Sequence, residues 1–275
     1  MSNNGFDKAV VCYSGGHSSA IVAVEAVRKY GKDNVILLNH DISSRIEHED
    51  IKRFKKEVAQ ALEVPITYAN AANFEEMTPL EVMKAKGGNS FGLIHCTMYL
   101  KTQPFHEWLK KNYPANRKSP CKDIVILYGF DAEEEERIAR RSEMLKALGY
   151  ETDFPLANWD RTIKEIEEIG VRRPTTYKLF KHANCVGCLK AGRQHWYCVF
   201  CLRPDVWEAA KQAESQTGYS IIKGIFLHEL EPQFTEMRDQ KGICPTDRGN
   251  SAAFWANVSK ILPEQTSFFP CDCAI

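Results

Sequence analysis

Residues 9–20 read Ala-Val-Val-Cys-Tyr-Ser-Gly-Gly-His-Ser-Ser-Ala. An apolar run of β type breaks into Ser14-Gly15-Gly16-His17-Ser18-Ser19, and a helical pattern follows at once to Tyr30. Strand, glycine turn and helix start form an anion cradle. Glycine lets the backbone approach a ligand closely. The first amides of a helix have no intrahelical acceptor, and the helix dipole favours negative charge there. Ser14, Ser18 and Ser19 add hydroxyl donors. The competing reading is a tight structural turn. The loop fits neither Gly-x-x-x-x-Gly-Lys-Ser/Thr nor Gly-x-Gly-x-x-Gly.

The same alternation continues downstream. Asn34–Asn39 reads as a second strand, Glu47–Leu62 as a helix with Ile51, Phe54, Val58 and Leu62 on one stripe, and Pro65–Ala69 as a third strand. His95–Lys111 is expected to be helical, Ile124–Tyr128 a fourth strand, and Glu133–Leu148 a charged helix closed by Gly149. This rhythm predicts an α/β fold with a doubly wound, mostly parallel sheet. In such sheets ligands bind at the carboxyl ends of the strands, where the glycine loop falls. Beyond residue 158 the strand rhythm stops. Arg161–Ile169, Pro204–Gln216 and Ser251–Leu262 read as helices around a cysteine-rich stretch at 182–201. The expected division is an α/β nucleotide-binding domain over 1–158 and a helical, cysteine-rich metal-binding region over 159–275.

Composition narrows the function. The 275 residues are 44% hydrophobic, enough for a real core, and 36 basic residues balance 36 acidic ones. Zero net charge does not call for a polyanionic partner, so nucleic acid finds no support there. No apolar run is long enough to span a bilayer. The polar start Met-Ser-Asn-Asn-Gly has no signal-peptide core, so a cytoplasmic protein without membrane association is expected. Ten cysteines in such a chain suit thiolates, metal ligands or redox groups better than disulfides. Cys12 reads as a small buried hydrophobe and Cys121 as incidental.

Other candidates follow from placement. Asn39-His40-Asp41 ends the second strand beside the loop, where polar groups serve either a ribose, base or metal, or only a capping turn. Gly129-Phe130-Asp131 follows strand four, before the acidic run Glu133–Glu136. Cys185-x-x-Cys188 and Cys198-x-x-Cys201 have the spacing of a four-cysteine zinc knuckle. His182 and His195 flank these cysteines and read as hydrogen-bonded structural residues rather than ligands.

Several segments in order resemble the PAPS (phosphoadenosine phosphosulfate) reductase-like family of the PP-loop ATP pyrophosphatase, or adenine nucleotide alpha hydrolase-like, superfamily. Ser14–Ser19 resembles its Ser-Gly-Gly-x-Asp-Ser loop, with Ser18 at the Asp position. Cys96–Pro104 resembles Cys-Cys-x-x-Arg-Lys-x-x-Pro, keeping Lys101 and Pro104 but carrying Thr97 and Leu100. Gly129–Arg137 resembles Gly-x-x-x-x-Glu-x-x-Arg. Pro155-Leu156-Ala157-Asn158-Trp159 and Pro174-Thr175-Thr176-Tyr177 lead to Cys185-x-x-Cys188, as in those reductases. The likeness covers roughly residues 8–200 and is closest to uncharacterised phage-type members, which also end in a Cys-x-Cys like Cys271-Asp272-Cys273.

The resemblance implies an adenine nucleotide, ATP or PAPS, on Ser14, Gly15, Gly16, His17, Ser18 and Ser19, with Asn39, Asp41, Gly129 and Asp131 lining its site. It implies a metal centre on Cys96, Cys185, Cys188, Cys271 and Cys273, either a 4Fe-4S iron–sulfur cluster or zinc. Lys101 and Arg137 would act on the substrate, with Cys273 as a thiol nucleophile. A thiol reductant or sulfur-donor protein would be the partner, and a weakly held homo-oligomer is expected. The implied activity is sulfur and redox chemistry on an adenylated or sulfated substrate. Two alternatives stay open. One is an AMP-forming sulfur- or nitrogen-transferase using Mg²⁺, disfavoured by Ser18. The other is a non-catalytic nucleotide or nucleic-acid binding module.

Overall fold

A computed structural model describes residues 5–85, 95–181 and 185–262. Five strands form one all-parallel sheet: β1 Lys8–Cys12, β2 Val35–Asn39, β3 Ile66–Tyr68, β4 Ile124–Leu127 and β5 Glu151–Asp153, in the order β3-β2-β1-β4-β5. β1 pairs with β2 on one side and β4 on the other. Helices cover both faces, and the period of the strand explains how. Ala9, Val11 and Tyr13 face one apolar cluster with Leu37, Phe54, Val58 and Leu127. Val10 faces the other, with Leu38, Phe105, Leu109, Ile126 and Leu145. A strand buried on both faces needs an unbroken apolar run, which Ala9-Val10-Val11 supplies.

Two helices matter for the candidate site, α1 His17–Tyr30 and α2 Glu49–Ala61. α1 begins two residues before the expected Ser19. Three further departures have local causes. The expected continuous helix 95–111 is broken by a π-helical stretch, Met98–Thr102, before Gln103–Asn112. Pro104 has no N–H to give to Leu100, and Gln103 donates instead to the Met98 carbonyl. The expected helix 161–169 shrinks to a 3₁₀ turn, Ile166–Ile169. The regular turn starts only at N-cap Glu165, where the Lys164 and Glu165 amides donate to the Glu168 carboxylate at 2.7 and 2.9 Å, while the amides of Thr162 and Ile163 upstream donate to the buried Glu25 carboxylate. The edge strand β5 is short and polar, Glu-Thr-Asp, so its residues carry no apolar signal.

The chain divides into two compact units. The first comprises Met1–Ile42, Glu47–Phe74 and Thr97–Pro174, and contains the sheet. The second comprises Ser43–Ile46, Glu75–Cys96 and Thr175–Ile275. Its described helices are Pro79–Ala85, Arg193–Leu202, Pro204–Thr217, Leu227–Thr235 and Ser251–Ile261. Trp196, Tyr197, Trp207 and Phe234 are buried there, and the Phe200 and Trp207 rings meet edge to face at 5.1 Å. Among the described residues no helix is long and apolar enough to cross a membrane.

Candidate functional site

The loop Tyr13–Ser19 leaves the carboxyl end of β1, which lies between β2 and β4; the chain runs from β1 to β2 on one side and returns from β3 to β4 on the other. That crevice is where open parallel sheets receive ligands. Gly15 adopts φ +82°, and Gly16 is the N-cap of α1. No side chain caps this helix, and its first turn carries no acidic residue. The serines brace the turn: Ser14 Oγ donates to Ser19 Oγ at 3.3 Å, and Ser19 Oγ donates to the Gly16 carbonyl at 2.8 Å. Ser18 faces β4, where a Cβ at Gly129 would stand only 3.1–3.2 Å from Ser18 backbone and side-chain atoms. Glycine is therefore needed after β4 for the two loops to approach.

Beneath the loop runs a buried ionic network that sequence reading did not anticipate. Lys55, 2% exposed, passes its aliphatic stem under Gly15, where a Cβ would lie 2.5 Å from Lys55 Cγ. Its ammonium reaches Glu47 Oε2 at 2.7 Å and Asp41 Oδ1 at 3.1 Å. Lys52 also reaches Asp41 Oδ1, at 2.9 Å, and donates to the Ile42 carbonyl. Tyr13 closes the network by donating from its hydroxyl to the Lys55 carbonyl at 2.9 Å. Burial drives the Glu47 carboxyl above its ordinary value, and the two lysines only partly offset it. At Asp41 burial also pushes upward, but the Lys52 hydrogen bond and the Lys55 charge outweigh it, and the carboxyl stays below its usual value. A signal was available: Lys55 sits within the apolar stripe Ile51, Phe54, Val58 of an amphipathic helix.

Asn39 and Asp41 thus lie at the expected strand end but are committed to structure. Asn39 is buried and donates to the Tyr13 carbonyl. Asp131 is an exposed cap, accepting from the Glu133 amide at 3.1 Å. Lys101 lies on the π-helical stretch, and its charge helps, after burial, to depress the His40 imidazole. Arg137 is paired with Glu134 and lays its guanidinium 4.3 Å over the Phe130 ring. Phe130 stacks in turn with Tyr128 and Phe154 at 5.4 and 5.9 Å. An aromatic platform with an arginine on it therefore stands just after Gly129.

His17 turns toward Glu165, with Nε2 3.2 Å from Oε2. Burial, then the charge of Arg173, depresses its imidazole. His17, Glu165 and Glu167 form the only group of three metal-type ligands that converge among the described residues. Arg173 bonds both carboxylates, at 3.1 Å to Glu165 and 2.8 Å to Glu167. That guanidinium already supplies the countercharge, and the cluster reads as an ionic clasp on the loop rather than a metal site.

The cysteines separate by environment. Burial pushes the Cys12 thiol up to about 12, against a Tyr128 hydrogen bond, which makes it no nucleophile. Cys198 is fully buried, with its thiol raised by burial first and the Asp247 charge second. Cys185 and Cys188 are half-buried, on a turn whose Gly187 has φ +75°. Their paired soft donors suit a thiolate-bound metal. Among the described residues no three cysteine sulfurs, neither Cys96 with Cys185 and Cys188 nor those of the four knuckle cysteines, lie within 4.8 Å of one another. Cys271 and Cys273 lie outside the described residues.

The sheet and its loops define an α/β protein with a glycine turn and a helix N-terminus at the switch point of its sheet. No protein-family model matches the chain, and no match to a curated protein was found.

Proposed function

We propose that this chain is an adenine-nucleotide-binding enzyme of the PAPS-reductase-like group of the PP-loop superfamily, with an adenine nucleotide alpha hydrolase-like fold. The nucleotide's phosphates would lie on the amides and hydroxyls of Ser14–Ser19. The observation carrying the reading is the α1 N-terminus: uncapped, free of acidic side chains in its first turn, and entered through a positive-φ glycine at the switch point of a parallel sheet. Gly129 supports it by letting the β4 loop pack against Ser18 of the glycine loop. Lys101 would add a point charge for a phosphate, and Arg137 on the Phe130 platform would meet the anionic end of the substrate.

The Cys185–Cys188 turn would hold a metal centre, with Cys96, Cys271 and Cys273 as further donors. An iron–sulfur cluster would supply electrons, whereas zinc would supply a fixed scaffold. Reduction of an adenylated or sulfated substrate is favoured over pyrophosphate cleavage, because Ser18 places no carboxylate at the loop and Glu165 and Glu167 are already paired with Arg173. Binding is tested by thermal unfolding and calorimetry with ATP, PAPS and adenylylsulfate. A ligand that binds the native state must raise Tm with concentration. Lys101→Ala should weaken that binding while leaving the unliganded Tm unchanged. If none of the three nucleotides shifts Tm, the nucleotide reading falls. Anaerobic purification with iron, sulfide and zinc analysis separates the two metal alternatives.

A further inference from the structure

We propose that His195 and Asp247 are positioning residues of the cysteine centre, a buried imidazole–carboxylate pair that holds the Cys185–Cys188 turn in the conformation presenting its two thiols. The inference rests on the reading of Cys185 and Cys188 as metal ligands. The turn is gripped by its central amide: Gly187 N–H donates to His195 Nε2 at 3.1 Å. A nitrogen that accepts an N–H carries no proton itself, so the imidazole proton sits on Nδ1. That nitrogen lies 2.7 Å from Asp247 Oδ2 and donates to it. Both ends of the imidazole are therefore fixed, and its acceptor lone pair is directed to the turn rather than to a metal.

The pair is itself built in from several directions. The His195 residue is 6% exposed, with Phe180 and Trp196 rings at 5.5 and 6.4 Å. Asp247 donates its own amide to the Leu179 carbonyl at 3.0 Å, and its second carboxylate oxygen accepts the Lys181 amide. The neighbouring Thr246 donates to the same Leu179 carbonyl, while Gln194 donates to the Thr246 carbonyl at 2.8 Å. The far side of the turn is packed as well: a Cβ at Gly187 would meet Val206 Cγ1 at 2.6 Å, and Val186 is buried. A carboxylate behind an imidazole ordinarily orients a ligating histidine, and losing such an outer partner costs about 10–100-fold in metal affinity. Here the same device acts on the backbone between two cysteines.

The test uses the full-length protein, stripped of metal and handled anaerobically. Co²⁺ titration follows the thiolate-to-cobalt absorption. Iodoacetamide labelling, resolved by mass spectrometry, follows alkylation at Cys185 and Cys188 against Cys201 as an internal reference. His195→Ala should weaken Co²⁺ binding about 10-fold or more and speed alkylation of Cys185 and Cys188 several-fold relative to Cys201. His195→Gln, whose amide oxygen can still accept the Gly187 N–H, should recover part of both effects. Asp247→Asn should fall between His195→Gln and wild type.

If Cys185→Ser abolishes the cobalt band while His195→Ala and Asp247→Asn bind like wild type, the positioning role is overturned and the ligand reading stands. If Cys185→Ser and Cys188→Ser leave the band intact, the ligand reading falls. The pair is then judged on alkylation alone, and unchanged relative rates in His195→Ala overturn it too. Should His195→Ala fail to fold, His195→Gln and Asp247→Asn carry the same comparison.

Discussion

Two turns in this molecule face the same backbone demand and meet it with different chemistry. Gly15 and Gly187 both take positive φ, and at both a Cβ would collide with a packed side chain, Lys55 Cγ at 2.5 Å or Val206 Cγ1 at 2.6 Å. The first turn rests on charge: a buried lysine shared by Glu47 and Asp41. The second rests on the His195 imidazole, which accepts the Gly187 N–H on one side and donates to Asp247 on the other. An anion on the loop would gain from a cation nearby, but the Lys55 ammonium is committed to the Glu47 and Asp41 carboxylates. Its role under Gly15 is shape, with neutrality secured beneath. The cysteine turn needs geometry without added positive charge, and a neutral imidazole provides that.

The largest effect should come from removing the buried cation. Lys55→Met keeps the stem under Gly15 but leaves the buried Glu47 with only Lys52 at 3.7 Å, and should cost roughly 3–5 kcal/mol in urea unfolding. Lys55→Met with Glu47→Leu should recover much of that loss. A single substitution costing under about 1 kcal/mol would show that the first turn does not rest on charge after all.

Next come the glycines. Gly15→Ala and Gly187→Ala should each cost about 2 kcal/mol or more, from positive φ together with overpacking. Val206→Ala should relieve Gly187→Ala in part by removing the colliding methyl. No relief of Gly187→Ala by Val206→Ala would mean that the positive φ rather than the contact dominates at that turn.

The Asp41 carboxyl sharpens the electrostatic half of the comparison. Its pKa is depressed below the ordinary 3.8, so it contributes stability above that value. The contribution is lost as pH falls through the lower folded value. Asp41→Asn should flatten the decline of Tm below about pH 4, whereas Asp247→Ala, at the other turn, serves as the comparison. The smallest effect belongs to the clasp. Arg173 and its two carboxylates are largely exposed, and Arg173→Ala should change stability by no more than about 1 kcal/mol.

Much of the first unit was legible in the chain because its signals are local. Apolar runs mark β1, β2 and β4, and a glycine pair between strand and helix marks the loop. The period of α2 marks its buried face. What escaped reading depends on partners far apart in sequence. The Glu25 carboxylate binds amides 137 and 138 residues away. His195 meets Asp247 across 52 residues. Asn39 and Asp41 were placed correctly at a strand end, yet their side chains are turned to Tyr13 and the two lysines.

Local order of residue types, then, sufficed for the parallel α/β layers and the glycine turn between β1 and α1, because backbone propensity and burial period act over a few residues. Which polar side chains remain available for chemistry was settled only in three dimensions. A buried donor or charge must find an acceptor wherever the fold brings one, and that pairing has no signature along the chain.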